Sequence, residues 1–336
     1  MITLSDLEKF DTKKMYKVYD MWPQIARESY ESEFDAISFD GIDHIVFVGM
    51  GGSGAIGDLF SSILSKSNIH VTLVKGYLLP YTVDKNTLVI TTSVSGNTVE
   101  SLTVLESAKD LDCSLIAFSS GGKMQDYCNQ NNIIHRKIEY IHSPRSSLVK
   151  YVYSMLKILG TILPISKDDI IESIEQLEII QKTISSENLS ESNPAIKLAT
   201  WITGIPMIYY PHGLQSAAIR FKSSLQENAK SHAMIEDVIE ASHNNIVSWE
   251  RSSTVQPILI QGTDDYIKTK ERWRIFEQYF DENSIDFKKI STISGNILSK
   301  IIFLCYLFDY CSIYKAILNE TDPTPIRSID FVKSKL

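Results

Sequence analysis

The chain has 336 residues, 43% of them hydrophobic and 22% charged, with 33 Lys+Arg against 41 Asp+Glu and a formal net charge of −8. That length exceeds what one hydrophobic core usually serves, and the composition is globular, which excludes extended disorder. An acidic chain lacks the cationic face needed to wrap a nucleic-acid backbone, whereas a small anion needs only local N–H groups and hydroxyls.

Residues 1–40 read as a helical lead-in with charged faces, and the opening MITLSDLEKF lacks the basic start and apolar run of a signal peptide. Next, His44-Ile-Val-Phe-Val48 is a continuous apolar run, as a strand buried on both faces requires. It breaks at Gly49-Met-Gly-Gly-Ser-Gly54, after which Ile56, Leu59, Phe60 and Ile63 recur at helical spacing. Val71 to Val74 predicts a second strand, and Thr87-Leu-Val-Ile90 a third, ending in Thr91-Thr-Ser-Val-Ser-Gly-Asn-Thr98. The helix after it is expected to have Asn97 as N-cap and Glu100 at N3. Cys113 to Phe118 is a fourth strand, closed by Ser119-Ser-Gly-Gly122.

Ser143-Pro144 predicts a helix start, serine as N-cap and proline at the first helical position, with Leu148, Val152, Met155 and Leu159 as the buried stripe. A second series begins at Ile205-Pro-Met-Ile-Tyr-Tyr210, followed by a helix over Leu214 to Gln226, strands over Gln256 to Ile260 and Ile285 to Ile290, and a long helix over Leu298 to Leu318. That last stretch is the most apolar of the chain, but it contains Asp309 and Lys315, which argues for a core helix rather than a membrane span. The proline-rich segment Thr321-Asp-Pro-Thr-Pro-Ile-Arg327 is expected to wrap a surface in extended form.

The expected fold class is therefore α/β: two lobes with a cleft between them, each a parallel sheet flanked by helices, plus a C-terminal helix and extended tail. The expected divisions are a lead-in over 1–40, a first domain over 41–159, a helical connection over 160–195, a second domain over 196–290, and the final helix and tail over 291–336. Cys113, Cys128, Cys305 and Cys311 show neither CxxC pairing nor histidines at metal spacing, and read as free thiols of a cytoplasmic protein.

Two loops carry the chemistry. Gly49-x-Gly51-x-x-Gly54 matches the dinucleotide fingerprint, but the second strand ends in Lys75 where an acid should hold a ribose; that lysine could at best suit a 2′-phosphate. Ser93, Ser95 and Thr98 put three hydroxyls within six residues, at a strand end and a helix start, where free N–H groups and the helix dipole favour an anion. Together the loops point to a phosphorylated ligand.

Gly49-Met-Gly-Gly-Ser-Gly54, Ser93-Val-Ser-Gly-Asn-Thr98 and Ser143-Pro-Arg-Ser-Ser-Leu148 occur in the order and spacing of the sugar isomerase (SIS) domain family. With Gln226-Glu-Asn-Ala-Lys230, the chain resembles the bifunctional phosphoglucose/phosphomannose isomerases from about residue 40 onward. The resemblance implies that Gly51, Gly52 and Ser53 line the sugar and that Ser93, Ser95 and Thr98 hold its phosphate. It places Arg145 beside the reacting carbons, where a guanidinium stabilises an enediolate oxygen, and makes Glu227 the proton shuttle between C1 and C2. It makes His243 the ring-opening group, reaching in from the partner of a homodimer. Lys300 lies near the position of a family lysine that assists ring opening, and Val94 stands where the family usually has an aromatic residue. The implied reaction takes hexose 6-phosphates and needs no metal or other cofactor, no nucleic acid and no membrane. Two rival readings are a non-catalytic SIS sensor of sugar phosphates and, from the glycine turn alone, an NAD(P)-dependent oxidoreductase.

Overall fold

The computed structural model describes residues 2–335. They fall in two compact units: one is Met21–Ile174, and the other joins the residues up to Asp20 with those from Glu175 onward. The stretch read as one lead-in is thus shared between the units, and the boundary at Ile174/Glu175 lies inside a helix, Lys167–Ile184.

The elements, in chain order, are α1 (Leu4–Phe10), α2 (Met15–Asp20), α3 (Trp22–Tyr30), β1 (His44–Val48), α4 (Gly51–Leu64), β2 (His70–Val74), β3 (Thr87–Ser93), α5 (Val99–Lys109), β4 (Ser114–Ser119), α6 (Gly122–Asn131), β5 (Ile134–Lys137) and α7 (Leu148–Ile158). There follow α8 (Lys167–Ile184), α9 (Pro194–Trp201), β6 (Ile205–Tyr210), α10 (Gln215–Asn228), β7 (Met234–Asp237), α11 (Val238–Ala241), β8 (Val255–Gln261), α12 (Ile267–Glu282), β9 (Lys288–Ser291), α13 (Ile297–Leu318) and α14 (Arg327–Lys333).

In the Met21–Ile174 unit the sheet order is β2-β1-β3-β4-β5, all parallel. The chain steps outward from β1 in both directions, so β1 and β3 flank the point where the winding reverses, and the two candidate loops leave the carboxyl ends of those strands. In open α/β sheets that position is the ligand crevice. β1 and β3 are buried along their whole length, which is why both read as unbroken apolar or small-residue runs. Val46, Val48, Val89, Val104 and Ala108 form the core on one face; on the other, Phe47 stacks on Phe60 at 5.2 Å.

The other unit has a parallel sheet of order β7-β6-β8-β9. Met207, Tyr209 and Leu259 of the sheet pack against Trp273, Phe276 and Phe280 of α12, and the opposite face is covered by α10, whose Phe221 stacks on Phe308 of α13 at 4.2 Å. The helix α13 has the length and apolar character of a membrane span, yet 83% of its most apolar window is buried inside the protein. Its Asp309 is met by Arg220 of α10, Nη2 to Oδ2 at 2.6 Å, and by the Ser224 hydroxyl. An acid in an apolar helix is tolerable only with such partners.

Three sequence expectations are corrected. The Ser143-Pro144 helix start is a run of turns, with α7 beginning at Leu148 and Ser147 as its N-cap; Ser143 and Ser146 satisfy each other's polar groups, Oγ to Oγ at 2.9 Å, and this local bonding competes with helix. The N-cap of α5 is Thr98, not Asn97. Asn97 instead bonds the start of α6, its Oδ1 accepting the Lys123 N–H at 3.2 Å. The tail is extended only as far as Ile326, beyond which the short helix α14 forms. The strands β5 and β7 were not legible, since both are four residues long and incompletely buried, and neither IHRK nor MIED is an apolar run.

Candidate active site

The glycine loop is shaped by close approach. A Cβ on Gly49 would lie 2.9 Å from the Ser53 backbone, and Gly51 takes a left-handed φ of +53°, so the chain doubles back at once into α4. No side chain caps α4 or α5 through a hydrogen bond; the Ser53 N–H of α4 donates to the Met50 oxygen at 3.0 Å, and the positive helix ends favour an anion.

Ser53 ties this loop to the serine loop. Its Oγ accepts the Val94 N–H at 3.0 Å, and both residues are buried. Within the serine loop the hydroxyls divide. Ser93 is fully buried, donating to Thr98 Oγ1 at 2.9 Å and accepting the Thr98 N–H at 3.4 Å, so it braces the loop. Ser95 is exposed and Thr98 half-buried, and these two can reach a ligand. Gly96 has a φ of +71°, and a Cβ there would lie 1.7 Å from the Gly121 oxygen. The loop therefore rests directly on the β4–α6 connection, where Ser120 Oγ donates to the Val94 oxygen at 2.7 Å. The sequence displayed Ser119-Ser-Gly-Gly122 only as a strand end; its part in supporting the serine loop is a long-range packing fact.

Arg145 is 97% buried in the turns before α7. Those turns cross the first turn of α4, for a Cβ on Gly52 would meet Pro144 at 3.0 Å and the Arg145 nitrogen at 3.2 Å. The Trp22 indole donates to the Ser146 oxygen at 3.0 Å and supports the crossing from below. One unit thus gathers Gly51, Gly52, Ser53, Ser95, Thr98 and the backbone of Arg145 around the ends of β1 and β3. Lys75, the lysine that could suit a 2′-phosphate, has its Nζ 2.5 and 2.6 Å from the two Asp58 carboxylate oxygens. Its charge is already paired.

In the other unit Glu227 is half-buried in the last turn of α10 and lines a cavity of about 780 Å³ with Ser223, Lys230, His232 and the tail from Thr321 to Ile329. His243 is exposed just past α11. Because α10 returns between parallel strands it runs opposite to them, so Glu227 sits near the amino end of β7 and His243 beyond its carboxyl end. Four residues of strand alone span about 13 Å. Lys300, in the first turn of α13, shares the carboxyl end of the sheet with His243, and its Nζ is 2.5 Å from Asp264 Oδ2. This lysine holds the Asp264 carboxyl below the usual carboxylate range, chiefly through that hydrogen bond and then through its charge. Within this unit Glu227 is not brought to either His243 or Lys300.

Residues 39–159 match the family described as the SIS domain. Residues 191–336 match the one described as the bacterial phospho-glucose isomerase C-terminal SIS domain. The chain is 31% identical over 332 residues to the bifunctional phosphoglucose/phosphomannose isomerase of Caldicellulosiruptor bescii, covering 95% of this chain and 97% of that one. It is 29% identical over 299 residues to the protein of the same name from Aquifex aeolicus, covering 87% and 90%. Among solved structures, the C-terminal domain of glucosamine-fructose-6-phosphate aminotransferase from Francisella tularensis superposes with a TM-score of 0.67 at 17% identity, over 92% of this chain and 96% of that one, a likeness of fold.

Proposed function

Since the chain belongs to the bifunctional phosphoglucose/phosphomannose isomerase family, we propose that it is an aldose–ketose isomerase interconverting glucose 6-phosphate and mannose 6-phosphate with fructose 6-phosphate. The observation that carries the reading is the Ser53–Val94 hydrogen bond, which joins the glycine and serine loops into one anion-binding rim at the reversal point of the sheet.

In this scheme the phosphate takes the Ser95 and Thr98 hydroxyls and the N–H groups opening α5, while Ser93 keeps the loop in shape. Gly51, Gly52 and Ser53 border the sugar. Glu227 removes the proton alpha to the carbonyl and returns it to the neighbouring carbon; a single carboxylate on one face of a cis-enediol serves both transfers. No step therefore calls on a metal or nucleotide. The Arg145 guanidinium stabilises the charge developing on the enediolate oxygen. The placement of Glu227 and His243 at opposite ends of β7 supports a second copy of the chain as the source of the ring-opening imidazole. Lys300 is given no step, because its ammonium is held by Asp264. Four free cysteines, three of them buried, fit a reducing compartment, and we assign the protein to the cytoplasm.

A coupled dehydrogenase assay in EDTA tests the proposal, with fructose 6-phosphate as substrate and glucose 6-phosphate as product. Turnover by wild type and its loss in Glu227→Gln are expected. Binding of hexose 6-phosphate without turnover would reduce the protein to a sensor, and loss of wild-type turnover in EDTA would overturn the metal-free scheme.

A further inference from the structure

Lys230 closes the Gln226-Glu-Asn-Ala-Lys230 motif, and nothing in the proposed reaction uses it. The residue takes a left-handed φ of +55°, uncommon for a side chain of this type, just past the end of α10. That backbone turn swings its side chain back along the helix. Its Nζ donates to the Glu227 backbone oxygen at 2.6 Å, to the Asn228 oxygen at 3.4 Å and to the Pro323 oxygen at 3.1 Å. The first two are carbonyls of the last helical turn, which have no intrahelical donor, and a cation there is also favoured by the helix dipole. The third belongs to the C-terminal tail, 93 residues further along the chain.

The tail has a second tether one residue earlier, where Asp322 Oδ2 accepts the Thr12 hydroxyl at 2.6 Å. Asp322 Oδ1 also accepts the Thr324 N–H at 2.9 Å, which fixes the bend between the two prolines. From there Pro325, Ile326, Arg327 and Ile329 form one wall of the cavity that Glu227 lines. A single ammonium therefore holds the backbone of Glu227 on one side and, on the other, Pro323, which sits between the tail residues that line its cavity.

We propose that Lys230 is a positioning residue for the isomerisation: it staples the end of α10 to the C-terminal tail and so sets the place of the Glu227 carboxylate relative to the wall facing it. This inference rests on the assignment of Glu227 as the proton shuttle. A base that must serve two adjacent carbons tolerates little displacement, since a misplacement of about 1 Å costs on the order of a hundredfold in rate.

The test compares full-length Lys230→Met, Lys230→Arg and Glu227→Gln with wild type, by steady-state kinetics and by amide hydrogen exchange across residues 321–329. Lys230→Met keeps the aliphatic stem and removes the donors. Its expected kcat falls by about tenfold or more, with KM changed by less than about threefold and exchange in the tail accelerated. Lys230→Arg, which keeps donors at the same place, is expected to restore most of kcat and the tail protection. Should Lys230→Met fold poorly, Lys230→Gln carries the same expectation with a shorter donor. The proposal is overturned by a kcat for Lys230→Met within about twofold of wild type, by unchanged exchange in the tail, or by a loss in Lys230→Arg equal to that in Lys230→Met. Full activity of Glu227→Gln removes the underlying assignment instead, so the two failures are told apart.

Discussion

Ser53 and Val94 are 41 positions apart in the chain, yet the Ser53 hydroxyl is the acceptor for the Val94 backbone N–H at 3.0 Å. The bond runs from the first turn of α4 to the residue just after β3, and both of its partners are buried. Each loop is thereby held by the other, and the rim they form is as rigid as this contact.

Ser53→Ala would leave the Val94 N–H buried without that acceptor, a loss of about 1–3 kcal/mol. Urea unfolding is expected to show it, together with a raised KM for hexose 6-phosphate. A midpoint unchanged from wild type would mean that water or another group replaces the hydroxyl.

Gly96→Ala is expected to be more damaging. The left-handed backbone alone costs an alanine about 1 kcal/mol or more, and the new methyl would lie 1.7 Å from the Gly121 oxygen. The loop must shift, so the melting temperature should fall by several degrees and substrate affinity should drop with it. An alanine variant with wild-type KM would separate the serine loop from phosphate binding.

Glu227→Gln keeps the size of the side chain and removes the proposed base. General-base catalysis contributes roughly 10²–10⁴-fold, and kcat should fall within that range. Because the carboxyl is only half-buried at a helix end, thermal stability should hardly change. Exchange of the C2 proton with solvent deuterium should be lost in parallel with turnover.

Asp309→Ala would leave the Arg220 guanidinium deep in the α10–α13 interface without its carboxylate, an expected loss of about 3–5 kcal/mol. Replacing both residues by leucine should be far milder, because the penalty belongs to the uncompensated charge. Denaturant titration of the three proteins checks this; equal losses in the single and double variants would contradict it.

Acid should weaken the Met21–Ile174 unit through His44. Burial, and then the charge of His70 whose ring is 4.7 Å away, lower the His44 pKa. The folded state therefore favours neutral imidazole, while the unfolded chain takes up a proton near the usual value of about 6.5. The stability is complete above that value and is lost as pH falls through the lower folded one. The urea midpoint should drop between about pH 7.5 and about pH 5.5, and drop less in His44→Gln. His135, also lowered by burial, keeps part of the effect in that variant. An identical drop with and without His44 would exclude it as a cause.

The alternation of apolar runs with small polar turns was enough to read β1, β3 and the helices after them, because a strand buried on both faces allows little but apolar or small side chains. It failed at β5 and β7, where IHRK and MIED carry no such constraint. It also misread Ser143-Pro144, whose helix-start chemistry is real but is used in a run of turns packed against Gly52. The Lys230 staple had no signature beyond its motif, since one of its three acceptors lies in the distant tail.

Residue order alone determined the class of the fold and the presence of a glycine turn and a hydroxyl-rich turn after β1 and β3, because helix and strand periods, glycine turns and hydroxyl clusters are local consequences of side-chain shape and donor chemistry. Tertiary structure decided which loops touch, which serine braces and which faces solvent, and that Glu227 and His243 stand at opposite ends of one short strand. Those are outcomes of strand order and close packing, where residues dozens of positions apart compete for the same few ångströms.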